Sequence, residues 1–293
     1  MLRLAAAVAV VCATAAAHAG ASYDVSVRVD AEAQRLEGHA HIVVPNDSGA
    51  PVAELWLWRF PERFAARSPA LNDYNFYWVY PYRFNPGHLR TGAVIVDGRA
   101  APVEVRDHQR AGKGTLLHVA LDPPLAPGAS ATVDVDFSVE VPTRYGPFGC
   151  VHGNCTLTGF YPMVAPPGYG LDAMPGRGRY RLSVGVHDTA DVVVNGELRA
   201  LQRGGRLDFD VGDAAGLTLM VGRPRLRQFE KVVRGVRIVY LSPMGRGLPS
   251  PPEHVLPYQP ANRVDRVLDA AAEAIDLLGE LGAPLPAGEE VRI

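Results

Sequence analysis

From Tyr23 onward, apolar residues recur at every second position. Tyr23, Val25, Val27 and Val29 alternate with polar neighbours, and Leu36, Ala40, Ile42 and Val44 follow the same rhythm. Successive side chains of a strand point to opposite faces, so this spacing predicts strands with one face buried. The segment PNDSGAP (45–51) then supplies the Pro, Asn, Asp and Gly of a turn. In ELWLWRF (54–60) both faces are apolar, with Leu55 and Leu57 on one and Trp56 and Trp58 on the other. A strand covered on both sides is central or lies under a second layer. Further strands are predicted at 91–98, 101–107, 114–121, 131–141, 179–188, 190–198, 206–211 and 217–222, joined by Gly/Pro/Asp turns. The pattern predicts a mainly β protein, an antiparallel β-sandwich or a large curved sheet with a sandwich layer.

Past position 235 the period changes. A strand, GVRIVYLSP (235–243), leads into a Pro-rich stretch (242–260) and then a helix over 261–282. Val264, Val267, Leu268, Ala271, Ile275 and Leu278 form its apolar stripe, and Gly282 and Pro284 supply the stop. The last residues, GAPLPAGEEVRI, read as the start of another strand. Such a helix needs a surface against its stripe, so it is expected to be poorly supported in this chain. The organisation expected is a signal peptide at 1–19, a β-rich domain at 22–230, and at 231–293 the truncated beginning of an α-containing domain.

The amino terminus adds a compartment. Arg3 is followed by an uncharged apolar run from Leu4 to Ala17 and the small-residue triplet Ala17-His18-Ala19, which is the pattern of a secretory signal peptide. Export to the periplasm or beyond is therefore expected. No later segment approaches the twenty or so continuous apolar residues of a transmembrane helix. With 29 basic against 31 acidic residues the formal net charge is −2. That balance leaves no basic stripe for a phosphate backbone, which removes nucleic acid as an expected partner.

Candidate chemistry concentrates in two places. The first is GCVHGNCTLTGFYP (149–162), with Cys150, His152 and Cys155. Cysteines this close can open a zinc site, but a closed site takes four ligands and no second pair occurs. Four residues between the sulfurs rule out a CxxC redox motif. In an exported protein the pair is expected to close a short loop as a disulfide. His39 and His41 share the polar face of a strand and read as surface histidines. The second place is the aromatic run between 56 and 82. Trp56, Trp58, Trp78 and Tyr80 are the candidate binding aromatics, able to stack on a sugar or contact a protein if exposed. If buried, they fill a core and pin a long connection to the sheet.

Several segments together resemble the aminopeptidase N family of zinc metallopeptidases. YDVSVRVDAEAQRLEGHAHIVVPNDS resembles that family's opening strands, PTRYGPFG followed by LTGFYPMVAP resembles its aromatic-Tyr-Pro stretch, and ADVVVNGEL resembles its Asn-Gly hairpin. The segment from GVRIVYLSP through the 261–282 helix is similar to the start of the family's catalytic domain. The resemblance implies a β-rich N-terminal domain that braces a zinc-bearing catalytic domain, or a separate catalytic chain, acting on peptide or protein substrates. Family catalysis uses His-Glu-x-x-His, a downstream Glu, and a Gly-x-Met-Glu-Asn strand, and none of these occurs in the 293 residues. No catalytic or metal-binding residue is therefore carried over, zinc is expected only in a missing catalytic domain, and this chain alone is expected to be inactive. The alternative is a free-standing β-sandwich that binds carbohydrate or protein through the Trp/Tyr-rich segment 56–84.

Overall fold

The computed structural model describes residues 20–109, 111–165, 177–222, 226–243 and 263–292. The expected signal peptide and most of the Pro-rich stretch lie outside these residues. The described chain opens with β1 (Ser22–Asp30), β2 (Arg35–Pro45) and β3 (Val52–Trp58), then a 3-10 turn at Phe60–Phe64 and the one-turn helix α1 (Phe76–Val79). There follow β4 (His88–Val96), β5 (Arg99–Ala100), β6 (Val103–His108), β7 (Gly112–Leu125) and β8 (Ser130–Glu140). A short hairpin, β9 (Phe148–Val151) and β10 (Asn154–Thr158), leads to β11 (Met163–Val164). Five strands come next: β12 (Gly178–Val186), β13 (Ala190–Val194), β14 (Glu197–Leu201), β15 (Arg206–Ala214) and β16 (Thr218–Gly222). The last elements are β17 (Leu226–Val233), β18 (Val236–Pro243), α2 (Arg263–Glu280) and β19 (Glu290–Arg292).

The protein is mainly β, as the alternation predicts. A seven-stranded sheet runs β15-β12-β1-β2-β8-β4-β5. Its inner face carries the alternating residues Val25, Val27, Ala40, Ile42, Val133, Val135, Leu182 and Val184, all buried. Its other face stays polar, with His39 and His41 of β2 set against Asp134 and Asp136 of β8 at 2.8–3.3 Å. Two smaller sheets, β11-β3-β7-β6 and β14-β13-β16-β10-β9, complete the body and share one continuous core with the large sheet. Antiparallel pairing dominates. The exception within the large sheet is β1 with β12, which run parallel and bring Ser22 opposite Arg179.

β3 is covered on both sides. Leu55 and Leu57 are buried in the shared core, and on the opposite face Trp58 is also buried while Trp56 is half-buried. The chain leaves β3 through Arg59, whose guanidinium donates to the carbonyls of Gly114 (2.7 Å) and Leu89. Glu62, 3.4 Å from Arg59, accepts from the Leu89 N–H at 2.8 Å. This half-hidden ion pair ties the 3-10 turn to β4 and β7, and burial lowers the Arg59 pKa against the opposing pull of Glu62.

The C-terminal elements form a separate layer. β17 and β18 pair antiparallel, β19 adds in parallel to β18, and α2 is the crossover between them. Leu268, Ala272 and Ile275 of α2 bury against Val236 and Ile238, so the helix has a partner for one face. The alternate residues of β18, Val239 and Leu241, pack the other way, onto Val193, Leu198 and Met220 of the body. Leu278, assigned from its spacing to the inward stripe, is instead exposed, together with Leu277 and Leu281. The 3.6-residue period places 268, 272 and 275 on one side, and 278 falls off its edge.

Candidate functional site

The β9–β10 hairpin is the centre of the motif GCVHGNCTLTGFYP. Cys150 and Cys155 are direct cross-strand partners and form a disulfide. The turn between them is made by His152 (φ +53°) and Gly153 (φ +75°), two left-handed residues that match the twist of a two-residue hairpin. His152 is placed by turn geometry, and its Nε2 lies 3.4 Å from the Tyr82 hydroxyl. Both sulfurs are consumed by the disulfide, and among the described residues no group of three or more His, Cys, Asp or Glu is arranged to hold a metal ion. Cys150, His152 and Cys155 together therefore do not make a closed zinc site.

The hairpin is held from below by Arg144. Its Nη1 donates to the Phe148 carbonyl at 2.9 Å, and its guanidinium lies 4.5 Å from the Phe64 ring and 5.8 Å from the Tyr80 ring. Burial lowers the Arg144 pKa, with Tyr80 acting in the opposite direction. Gly149 makes this approach possible, because a Cβ there would lie 2.2 Å from the Arg144 carbonyl oxygen. At the far end of β10, Phe160 and Tyr161 are fully buried. Tyr161 packs edge-on against Tyr23, and Tyr23 stacks on Tyr180 with ring centroids 4.7 Å apart. Burial raises the pKa of all three phenols. The Tyr161 hydroxyl accepts from the Leu217 N–H, and that of Tyr23 from the Val164 N–H. The Tyr-Pro stretch is thus a brace between sheets.

The four candidate aromatics do not share one surface. Trp56 donates Nε1 to Glu54 at 3.2 Å and lies against His118, whose Nε2 is 2.7 Å from the other Glu54 oxygen. Trp58 is buried beside His108. Tyr80 is 3% exposed and stacks on Phe76, part of the packing beneath the hairpin. Trp78 alone of the four is strongly exposed, at 54%, on α1. Tyr74, Tyr77 and Tyr82 are also exposed; Tyr74 is edge-on to Trp78 at 5.2 Å, while Tyr82 packs against His152. The helix α1 sorts the run: residues 76 and 80 lie one turn apart and face inward, while 74, 77 and 78 face water. The aromatic richness is visible in the sequence, but no periodic signal in so short a helix says which rings are hidden.

No protein-family model matches the chain. No curated protein matches it either. Solved structures match it by fold. A variant of the M1 zinc metallopeptidase from Deinococcus radiodurans matches with a TM-score of 0.52 at 16% identity, over 93% of this chain and 56% of that one. Two-domain M1 zinc metallopeptidase variants bound to L-tryptophan and to L-arginine match with TM-scores of 0.51 at the same identity and coverage. The chain has the mainly β fold of the N-terminal part of an M1 zinc metallopeptidase, and it spans little more than half the length of those structures. At this identity the likeness is one of fold.

Proposed function

We propose that this chain is the N-terminal part of an exported zinc aminopeptidase-like protein, and that it braces a catalytic unit whose zinc-bearing part is not among these residues. In this reading residues 1–19 direct export, 22–230 form the brace, and the catalytic unit begins at about 231. The observation that carries it is the layer built by β17, β18, α2 and β19. One side of β18 is fixed to the body through Val239 and Leu241. The other side holds α2, which buries Leu268, Ala272 and Ile275 inward yet exposes Leu277 and Leu278, with Leu281 just past its end, outward. A helix apolar on two sides is a helix meant to be covered on two sides. The outward side is where the catalytic part docks, and peptides are the substrates of the assembled protein. The motif disulfide supports export, because such bonds persist in oxidising compartments. Among the described residues no helix is long and apolar enough to cross a membrane.

Alone, the chain is predicted to be inactive, since it carries neither the zinc-binding motif nor its glutamate. The test is aminopeptidase turnover on a panel of fluorogenic amino-acid amides together with zinc analysis of the repurified chain. Blank-level turnover without stoichiometric zinc is expected, and sustained turnover that survives repurification contradicts the reading. A second reading, a stand-alone module for carbohydrate or protein, draws on the exposed rings of Tyr74, Tyr77, Trp78 and Tyr82. Glycan-array binding that disappears in Trp78→Ala would favour it, and an array without hits would remove its carbohydrate form.

A further inference from the structure

Where β3, the 3-10 turn and β11 meet the β13–β14 and β15–β16 turns, an apolar cleft of about 510 Å³ opens. Its size suits a small molecule, for which sites run from roughly 300 to 1,000 Å³. Trp58, Phe60, Met163 and Leu217 supply its apolar walls, and Arg63 and Tyr161 its polar ones. Gly159 (φ +64°) lets the chain turn within 3.0–3.1 Å of the Phe60 ring and the Met163 methyl, as measured from where its Cβ would be.

Asn195 and Tyr161, the amide and phenol on these walls, are engaged with neighbouring backbone groups. Asn195 donates Nδ2 to the Gly216 carbonyl at 2.9 Å and accepts the Thr218 N–H at 2.8 Å, and the Tyr161 hydroxyl accepts the Leu217 N–H at 3.2 Å. A peptide would bring an N–H and a C=O with every residue, and each left unpaired costs about 1–3 kcal/mol. An alkyl chain brings none. Among the described residues the cleft carries a single charge. Arg63 is exposed at the rim, its guanidinium 5.7 Å from the Phe60 ring, with no ion pair among the described residues. Among the described residues no acidic side chain lines the cleft. Glu197 and Glu290, which line the adjoining hollow, are neutralised by Arg199 and Arg237 at 2.5 Å each.

We propose that this cleft binds an alkyl carboxylate, a medium-chain fatty acid whose tail lies on Trp58, Phe60, Met163 and Leu217 and whose carboxylate sits on Arg63. The site is independent of the bracing role and is read on the purified chain. Calorimetric titration with decanoate below its micelle concentration is expected to show one saturable site, with Trp58 fluorescence changing in step. Decanol, of equal length but uncharged, is expected to bind about tenfold more weakly, the share a charge-assisted contact carries. Arg63→Gln is expected to lose the same factor. Ala215→Trp, which fills the cleft from an exposed position, is expected to abolish binding. Circular dichroism confirms that each variant is folded, and Arg63→Gln alone carries the test if Ala215→Trp is not. Absence of saturable binding overturns the proposal, as does equal affinity for decanol, an unchanged affinity in Arg63→Gln, or tighter binding of trileucine than of decanoate.

Discussion

The body and the C-terminal layer bury their apolar residues to very different extents. In the body, three sheets share a single core that runs from Tyr23 to Val221, and the tyrosines of three separate strands or loops meet inside it. Among the described residues of the C-terminal layer, Val236, Ile238, Leu268, Ala272 and Ile275 form the buried core between helix and sheet, and Leu277 and Leu278 of α2 and Leu281 just beyond it face water. Both regions follow the same rule of apolar residues on recurring faces. The body satisfies that rule within itself, whereas α2 satisfies it on one side only. The contrast separates a body that covers its own apolar residues from a C-terminal layer that leaves some of its leucines open to water.

The largest expected effect falls on the body. Arg59→Ala leaves Glu62 half-hidden without its cation and frees the Gly114 and Leu89 carbonyls, so it is expected to cost about 3–5 kcal/mol in urea unfolding. A loss below about 1 kcal/mol would show that this pair does not hold β4 and β7. Ile275→Ala removes a buried side chain of the smaller core and is expected to cost about 2–4 kcal/mol. The loss should be confined to the C-terminal layer, seen as faster proteolysis across 263–280 with the body's unfolding midpoint unchanged. A matching fall in the body's midpoint would mean that the two regions unfold as one.

Replacing Cys150 and Cys155 together by serine is expected to lower the body's stability by about 2 kcal/mol, the loop-entropy value for so small a ring. An equal loss in the C-terminal layer would again erase the distinction. Acid gives a smaller effect. The Glu54 pKa is lowered, first by the Trp56 hydrogen bond and then by His118. Its contribution is therefore fully present above the unfolded value of about 4.3 and is lost as pH falls through the lowered folded value. Because Glu54 is exposed the loss is small, and Glu54→Gln should flatten that part of the stability curve. The smallest effect belongs to Leu277→Gln with Leu281→Gln, expected to change stability by no more than about 0.5 kcal/mol because both side chains already face water. A loss of 2 kcal/mol or more would mean that this face is already covered.

Much of the fold is legible in the sequence because strands with one buried face announce themselves by alternation. β1, β2, β8, β12 and α2 are read directly from it. β17 is not, since LRQFEKVV mixes charges without a clean period and becomes a strand by pairing with β18 across a turn at Arg234 and Gly235. The cysteine pair is legible as a loop closure only in compartment terms, and its place across two paired strands comes from the His152-Gly153 turn. The division of the aromatic run into buried Trp58 and Tyr80 and exposed Trp78 depends on a single helical turn. Arg144, which sits under the hairpin against rings 60 and more positions earlier in the chain, has no local signal at all. The cleft beside Arg63 gathers residues from Trp58 to Thr218, and such convergence is a property of the folded sheets alone.

Native-state hydrogen exchange tests the contrast between the two regions most directly. The amides of β1, β2, β8 and β12 are predicted to exchange only through global unfolding, and those of α2 through a separate opening several kcal/mol lower in free energy. Equal protection of α2 and the body strands in the purified chain would contradict the account, because it would show the C-terminal layer to be as complete as the body that carries it.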